Sequence, residues 1–267
     1  MARVGVDGLM ISPQGKGHAR SERHAVEALA ARGEHELVVF VREPVEIDGV
    51  ETVRVDGLTL DWELRGVVSA ARKNGLDAFL SLSDRLPLAG GPPFVVWLFE
   101  SPLHRIRSNR RGAPLRHRGS DVVTSLLWNR SLRRAAHVAF GSRATRDEVE
   151  ADVKVASASV VYPGLPPGFS PGPAHDRGGP YAFHLGSNDP RDNTAVAVEA
   201  ARLAGVRLLV AGGWNGDGAE ALGRVSDQEL LDLYRGAAAF VDPTLYGGSA
   251  MACSRRWRPA RPSSRAT

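Results

Sequence analysis

Short apolar runs rich in β-branched residues alternate along this chain with segments whose apolar residues recur at helical spacing. Few folds accommodate that rhythm. A continuous apolar run of strand length suits a strand covered on both faces, which is the situation of a parallel sheet flanked by helices. VGVDGLM (4–10), ELVVFV (36–41), VETVRV (50–55), LDAFLSL (76–82), PFVVWLF (93–99) and HVAFGS (137–142) read as strands. Ser21–Arg32 carries Ala25, Val26, Leu29 and Ala30 on one helical face and is stopped by Gly33. Trp62–Lys73 and Val122–Ala136 read as further helices.

The rhythm breaks at VVYPGLPPGFSPGPAHDRGGP (160–180), a proline- and glycine-crowded stretch expected to join two domains. It then restarts: YAFHLGS (181–187), VRLLVAGG (206–213) and AAFVDPT (238–244) as strands, Thr194–Leu203 and Asp227–Gly236 as helices. The expected organisation is a first α/β domain over 1–165, a connection over 166–180, a shorter α/β domain over 181–248 and an Arg- and Pro-rich tail over 249–267.

Hydrophobic residues at 43% and charged residues at 24% allow an ordinary core. A single cysteine, Cys253, excludes a disulfide framework and a cysteine-based zinc site. The start, Met1-Ala-Arg-Val-Gly-Val-Asp, runs straight into a strand, and no apolar stretch is long enough to span a membrane, so a cytoplasmic protein is expected. The net charge of +4 is concentrated in His104–Arg118 and in the tail. The first cluster suits phosphate, nucleic acid or anionic lipid, and reads equally as a solvated arginine-rich loop.

Three loops follow strands, at the carboxyl ends where open α/β sheets bind ligands. ISPQGKGHARSE (11–22) places Gly15 and Gly17 around Lys16 before a helix, a setting for phosphate or an ordinary strand–helix turn. GSNDPRDNT (186–194) offers Asn188 or Asp189 as turn initiator before Pro190, with Arg191 near a helix start. AGGWNGDGAEALGRVSDQEL (211–230) ends in a capping-box spacing, Ser226 to Glu229; the stretch before it, with Gly223, Arg224 and Val225, can wrap a base or ribose or be a flexible glycine loop.

Four segments together, SLRRAAHVAFGSRATRDEV (131–149), VVYPGLPPGFSPG (160–172), HLGSNDPRDNTAVAVEA (184–200) and GRVSDQELLDLYRGAAAFVDPTLYGG (223–248), resemble family 4 of the retaining glycosyltransferases in order and spacing. The resemblance covers most of the chain, most densely Ser131–Gly248. It implies a GT-B fold of two Rossmann-like domains with parallel sheets, the second incomplete here. It implies transfer of a sugar with retention from a nucleoside-diphosphate sugar, bound mainly by the second domain, to an acceptor (lipid, polysaccharide or natural product) bound mainly by the first. No metal or other cofactor is implied. Gly15 and Gly17 match the family's N-terminal glycine loop, and Gly186, Arg191, Gly223, Arg224 and Val225 fall in its donor-side segments. Where the family carries an Arg after the strand-end glycine and a Lys in R-K-N, this chain has Ser187 and Asp192, leaving Arg191 as the nearest cation. Where the family often has His-Asp after the fifth strand, this chain has Phe99-Glu100. Glu100 or His104 is the candidate to approach the acceptor hydroxyl, with a structural role as the alternative for each. A nucleic-acid or anionic-surface binder and an epimerase of the same architecture are the competing functions, and a peripheral contact with the inner membrane face is compatible with the first of the two charge clusters.

The family motif Y-E-G-F-G-L-x-x-L-E-A-M-A-x-G-x-P-V-V is met here as LYGG followed by SAMACSRRWRPARPSSRAT. Rereading the tail with the last base of each codon joined to the first two of the next yields F-G-x-G-L-L-E-A-M-A-S-G-T-P-V-V-A-S with permitted codons. A one-base deletion near the Gly248 codon is therefore expected, and with it a second domain cut short and a transferase impaired or inactive as written.

Overall fold

The computed structural model describes residues 1–13, 18–57, 61–82, 90–101, 126–164, 169–170, 172–173 and 177–245. Gly15, Gly17, His104, the cluster 104–118 and the tail 249–267 lie outside them. The chain forms two compact units, Met1–Pro163 and Gly164–Thr267.

The first unit is built on strands β1 (Arg3–Asp7), β2 (Glu36–Val41), β3 (Glu51–Arg54), β4 (Ala78–Ser81), β5 (Phe94–Leu98), β6 (His137–Phe140) and β7 (Ala158–Val160). They pair in the order β3-β2-β1-β4-β5-β6-β7, and every pairing is parallel. Because side chains alternate across a strand, the sheet has two apolar faces. Phe40, Phe79, Val96, Leu98 and Phe140 pack on one with Trp62, Val67 and Leu132. Val6, Val39, Val41 and Leu82 pack on the other against Val26 of α1 (His18–Arg32).

Between β3 and β4 the sequence predicts one α-helix. The chain instead makes a π-helical turn, Trp62–Gly66, continued by α2 (Val67–Asn74). The wider turn accompanies the Trp62 indole lying over Gly66, where a Cβ would come within 2.5 Å of the ring. Gly75 then ends α2 in the left-handed conformation at φ 59°. Two elements not anticipated are β7, which ends at the first residue of the proline- and glycine-crowded stretch, and α3 (Arg143–Glu150). The N-cap of α3 is Ser142, whose side chain accepts from the Thr145 amide at 3.0 Å.

The second unit has β8 (Tyr181–Ser187), β9 (Arg207–Gly213), β10 (Glu220–Gly223) and β11 (Ala239–Phe240), in the order β10-β9-β8-β11 and again parallel. β10 lies within the stretch read as a glycine-rich loop, and β11 keeps only two residues of the seven expected. β10 escaped notice because EALG has little apolar patterning and is half-exposed or exposed. Helices α4 (Thr194–Ala204) and α5 (Asp227–Gly236) flank the sheet. Phe183, Tyr181, Leu209 and Ala211 meet Leu230, Leu233 and Tyr234 of α5; Ala182, Leu208 and Val210 meet Ala197 and Ala201 of α4.

Both units therefore share one winding: the first three strands run outward in reverse order and the fourth returns to the other side of the first. This is the Rossmann-like doubly wound arrangement, and the α/β fold class expected from the alternation is the one observed. No helix among the described residues is long and apolar enough to cross a membrane.

Candidate functional site

In a doubly wound sheet the strand order reverses beside the first strand, and the connections leaving there part to opposite faces. The crevice outside those carboxyl ends is where ligands sit. In the first unit the reversal falls between β1 and β4, in the second between β8 and β11.

At the first reversal, Asp7 and Ser81 are register partners and both fully buried. Asp7 Oδ1 accepts from the Leu9 amide at 3.2 Å. Glu22, on α1, is a second fully buried carboxylate of this unit, and Ser101, just past β5, is also buried. Glu100 is half-buried, just past the end of β5. Sequence reasoning passed over Asp7, Ser81 and Glu22, because one polar residue in an apolar run or on a helix carries no sign of its burial. Thr145 anchors the neighbouring helix by donating from Oγ1 to the Phe99 carbonyl at 3.2 Å.

The second reversal is better furnished. Gly186 is buried near the end of β8 and pairs with Gly212 of β9. A Cβ on Gly186 would collide with His184 Nε2 and come within 2.6 Å of Thr194 Oγ1, so only glycine fits. Gly212, at φ 125°, is equally fixed, since its Cβ would strike the Gly186 carbonyl oxygen. Beneath them the fully buried His184 bonds through Nδ1 to the Val241 carbonyl at 2.9 Å and through Nε2 to Thr194 Oγ1 at 3.1 Å. Thr194 Oγ1 in turn donates to the Ser187 carbonyl at 2.9 Å.

The loop from Ser187 to Asn193 is closed by its own polar groups. Ser187 Oγ donates to Asp192 Oδ2 at 2.6 Å and accepts from the Asp189 amide at 3.1 Å. The Asp192 amide donates to the Asp189 carbonyl at 3.0 Å. Asp189 Oδ1 accepts from the Arg191 amide at 2.9 Å, the turn across Pro190 that the sequence suggests. The loop is also tied across the reversal: Asn193 Nδ2 donates to the Pro243 carbonyl at 3.1 Å and the Leu245 amide to the Arg191 carbonyl at 2.9 Å. Asn193 holds a left-handed conformation at φ 53° just before α4, a conformation Asn tolerates better than most residues. Beyond β9, Asn215 accepts from Asn188 Nδ2 at 2.7 Å, joining the loops after β8 and β9.

Arg191 turns back on Asp189. Its Nε lies 3.1 and 3.2 Å from the two carboxylate oxygens and its Nη2 lies 2.7 Å from Oδ2. The guanidinium donors and the backbone amide together hold the Asp189 carboxyl below the usual carboxylate range. At the carboxyl end of β10, Gly223 takes φ 65° with open space at its Cβ position. Arg224 is exposed and makes no ion pair among the described residues, while Val225 packs half-buried against the α5 face. Ser226 caps α5 by accepting from the Glu229 amide at 3.2 Å. The reciprocal half of the expected capping box is absent: the Glu229 carboxylate lies 3.7 Å from Arg177 instead.

Gly186, Arg191, Gly223, Arg224 and Val225 thus share the carboxyl edge of one sheet, β8 being separated from β10 by β9. Ser187, Asp189, Asp192 and the Asn188–Asn215 bridge complete that edge. Their pairings arise from backbone closure and were not readable from residue spacing.

No family model matches the chain, and no curated protein does. Solved structures do. WaaG, a glycosyltransferase involved in lipopolysaccharide biosynthesis, superposes with a TM-score of 0.71 at 10% identity over 95% of this chain and 78% of its own. AviGT4, a glycosyltransferase involved in avilamycin A biosynthesis, superposes with a TM-score of 0.58 at 16% identity, over 96% and 76%. At these identities the likeness is one of fold, and the fold is that of the GT-B glycosyltransferases.

Proposed function

We propose that this chain is a glycosyltransferase by construction, one that takes a sugar from a nucleoside-diphosphate donor and passes it to an acceptor hydroxyl with retention and without a metal ion. The observation that carries the reading is the carboxyl edge of the second sheet. There Gly186 lies near the strand end, a hydrogen-bonded polar loop leads into α4, and Arg191 and Arg224 supply cations. A departing nucleoside diphosphate develops negative charge, which such cations and main-chain N–H groups can meet. The shared fold with two glycosyltransferases supports the same reading.

In this proposal the first unit receives the acceptor, Glu100 or His104 is the candidate to approach the reacting hydroxyl, and Gly15 and Gly17 are candidates for binding phosphate. Residues 246–267 belong to the reading too: Gly247 stands where the family has the first of its two donor glutamates and the out-of-frame tail lacks the second, so transfer by the chain as written is impaired or lost. The test is calorimetric titration of the chain, and of a version with the frame restored after codon 248, against a panel of uridine, guanosine and adenosine diphosphate sugars. One donor class is expected to bind the restored-frame protein and to be turned over in the presence of an acceptor. No binding of any donor by the restored-frame protein would overturn the reading, and DNA with no intact downstream frame would remove the account of the tail.

A further inference from the structure

The Asp189 carboxylate is bound as an exogenous anion would be. It sits just past the carboxyl end of β8, beside the strand-order reversal, and accepts from a main-chain N–H and a guanidinium of the same residue, Arg191. Main-chain amide plus guanidinium, close before a helix of eleven residues, is a donor set suited to a phosphate oxygen. We propose that Asp189 acts as an internal stand-in for phosphate, and that a phosphate-bearing donor enters this edge by displacing the Asp189 carboxylate from Arg191. This rests on the donor reading above and deepens it: Asp189 becomes the residue that sets affinity for the diphosphate part of the donor.

The surroundings favour displacement over a fixed structural pair. The Arg191 and Asp189 side chains are 46% and 36% exposed, and ion pairs that open to water hold weakly. The rest of the loop does not depend on the charge. Ser187–Asp192, the Asp192 amide and the ties to Pro243 and Leu245 close it independently. Arg224, at the same edge and outside any ion pair among the described residues, gives the contrast of a cation already available.

Asp189→Asn separates charge from structure. The asparagine oxygen can still accept the Arg191 amide and keep the turn, while the competing negative charge is gone. The experiment titrates the full chain, wild type and variants, with uridine, guanosine and adenosine diphosphates, using the corresponding nucleosides as uncharged controls. Asp189→Asn is expected to bind the preferred diphosphate about fivefold more tightly than wild type, the scale of one exposed ion pair, with nucleoside affinity unchanged. Arg191→Gln is expected to weaken diphosphate binding, and Asp189→Asn/Arg191→Gln to match Arg191→Gln alone, because the gain runs through the Arg191 guanidinium. Unchanged or weaker diphosphate binding by a folded Asp189→Asn overturns the proposal while leaving the donor reading intact. So does a gain that survives in the double variant. Absence of diphosphate binding by wild type and every variant overturns the proposal, and the donor reading falls with it when the restored-frame protein binds no donor either.

Discussion

Gly186→Ala probes the tightest glycine position among the described residues of the second unit. The added methyl would meet His184 Nε2, His184 Cδ2 at 2.6 Å and Thr194 Oγ1 at 2.6 Å. The strand end cannot shift away, because Gly186 faces Gly212 in register and the Gly212 Cα lies against the Gly186 carbonyl. The imidazole must therefore move, and it is fully buried with both ring nitrogens bonded. Overpacking costs about 1–3 kcal/mol and an unmade buried hydrogen bond a similar amount, so a loss of about 2–5 kcal/mol is expected. Hydrogen exchange resolved by segment is the suitable assay, since the two units need not unfold together. Amides of 181–187 and 207–213 should exchange about 30-fold faster or more, while those of Glu36–Val41 in the first unit stay unchanged. Gly164→Ala is the control, for nothing lies within 4 Å of its Cβ position and its φ is not positive. If Gly186→Ala perturbs exchange no more than Gly164→Ala, the packing argument fails.

Phe183→Ala empties the aromatic cluster in which the Phe183 ring centroid stands 5.1 Å from Tyr234 and 5.8 Å from Phe240. A cost of about 3–5 kcal/mol should unfold the second unit selectively, seen as loss of exchange protection in β8 and β9 with β2 retained. Ser142→Ala removes the N-cap of α3 and should lower stability of the first unit by about 1 kcal/mol, read as a shift of its urea midpoint at constant slope. Asp189 titrates below the ordinary aspartate range in the folded chain, so its contribution is present above about pH 4 and lost as pH falls through the depressed folded value. Asp189→Asn should flatten that part of the acid limb, and an acid limb identical to wild type would show the pair to be thermodynamically silent.

How much of this protein was legible beforehand depends on whether the governing physics is local. Periodicity placed β8 and α5 at the residues observed and β2 likewise, because burial on both faces of a parallel strand forces a continuous apolar run. It missed β10, a half-exposed or exposed edge strand whose pairing with β9 owes nothing to its own composition. It took Trp62–Lys73 for a regular helix, because the fit of an indole over Gly66 is a matter of three-dimensional contact.

The candidate site divides the same way. The turn around Pro190 and the Ser226 cap follow from local chemistry, a side chain closing on a main-chain amide two or three residues on, and those are written in the chain; the need for glycine at 186 comes from the buried His184 and Thr194 side chains and is not. Sequence alone therefore determined an α/β chain with polar, glycine-containing loops after particular strands. The tertiary structure decided which loops meet at each strand-order reversal. It decided that Asp7 and Ser81 are buried side by side at one of them. It also turned the Arg191 guanidinium, the cation that sequence assigned to a phosphate, onto Asp189 instead. A two-residue separation permits that pair but does not select it; chain closure between Ser187 and Asn193 does, by bringing carboxylate, amide and guanidinium to one point.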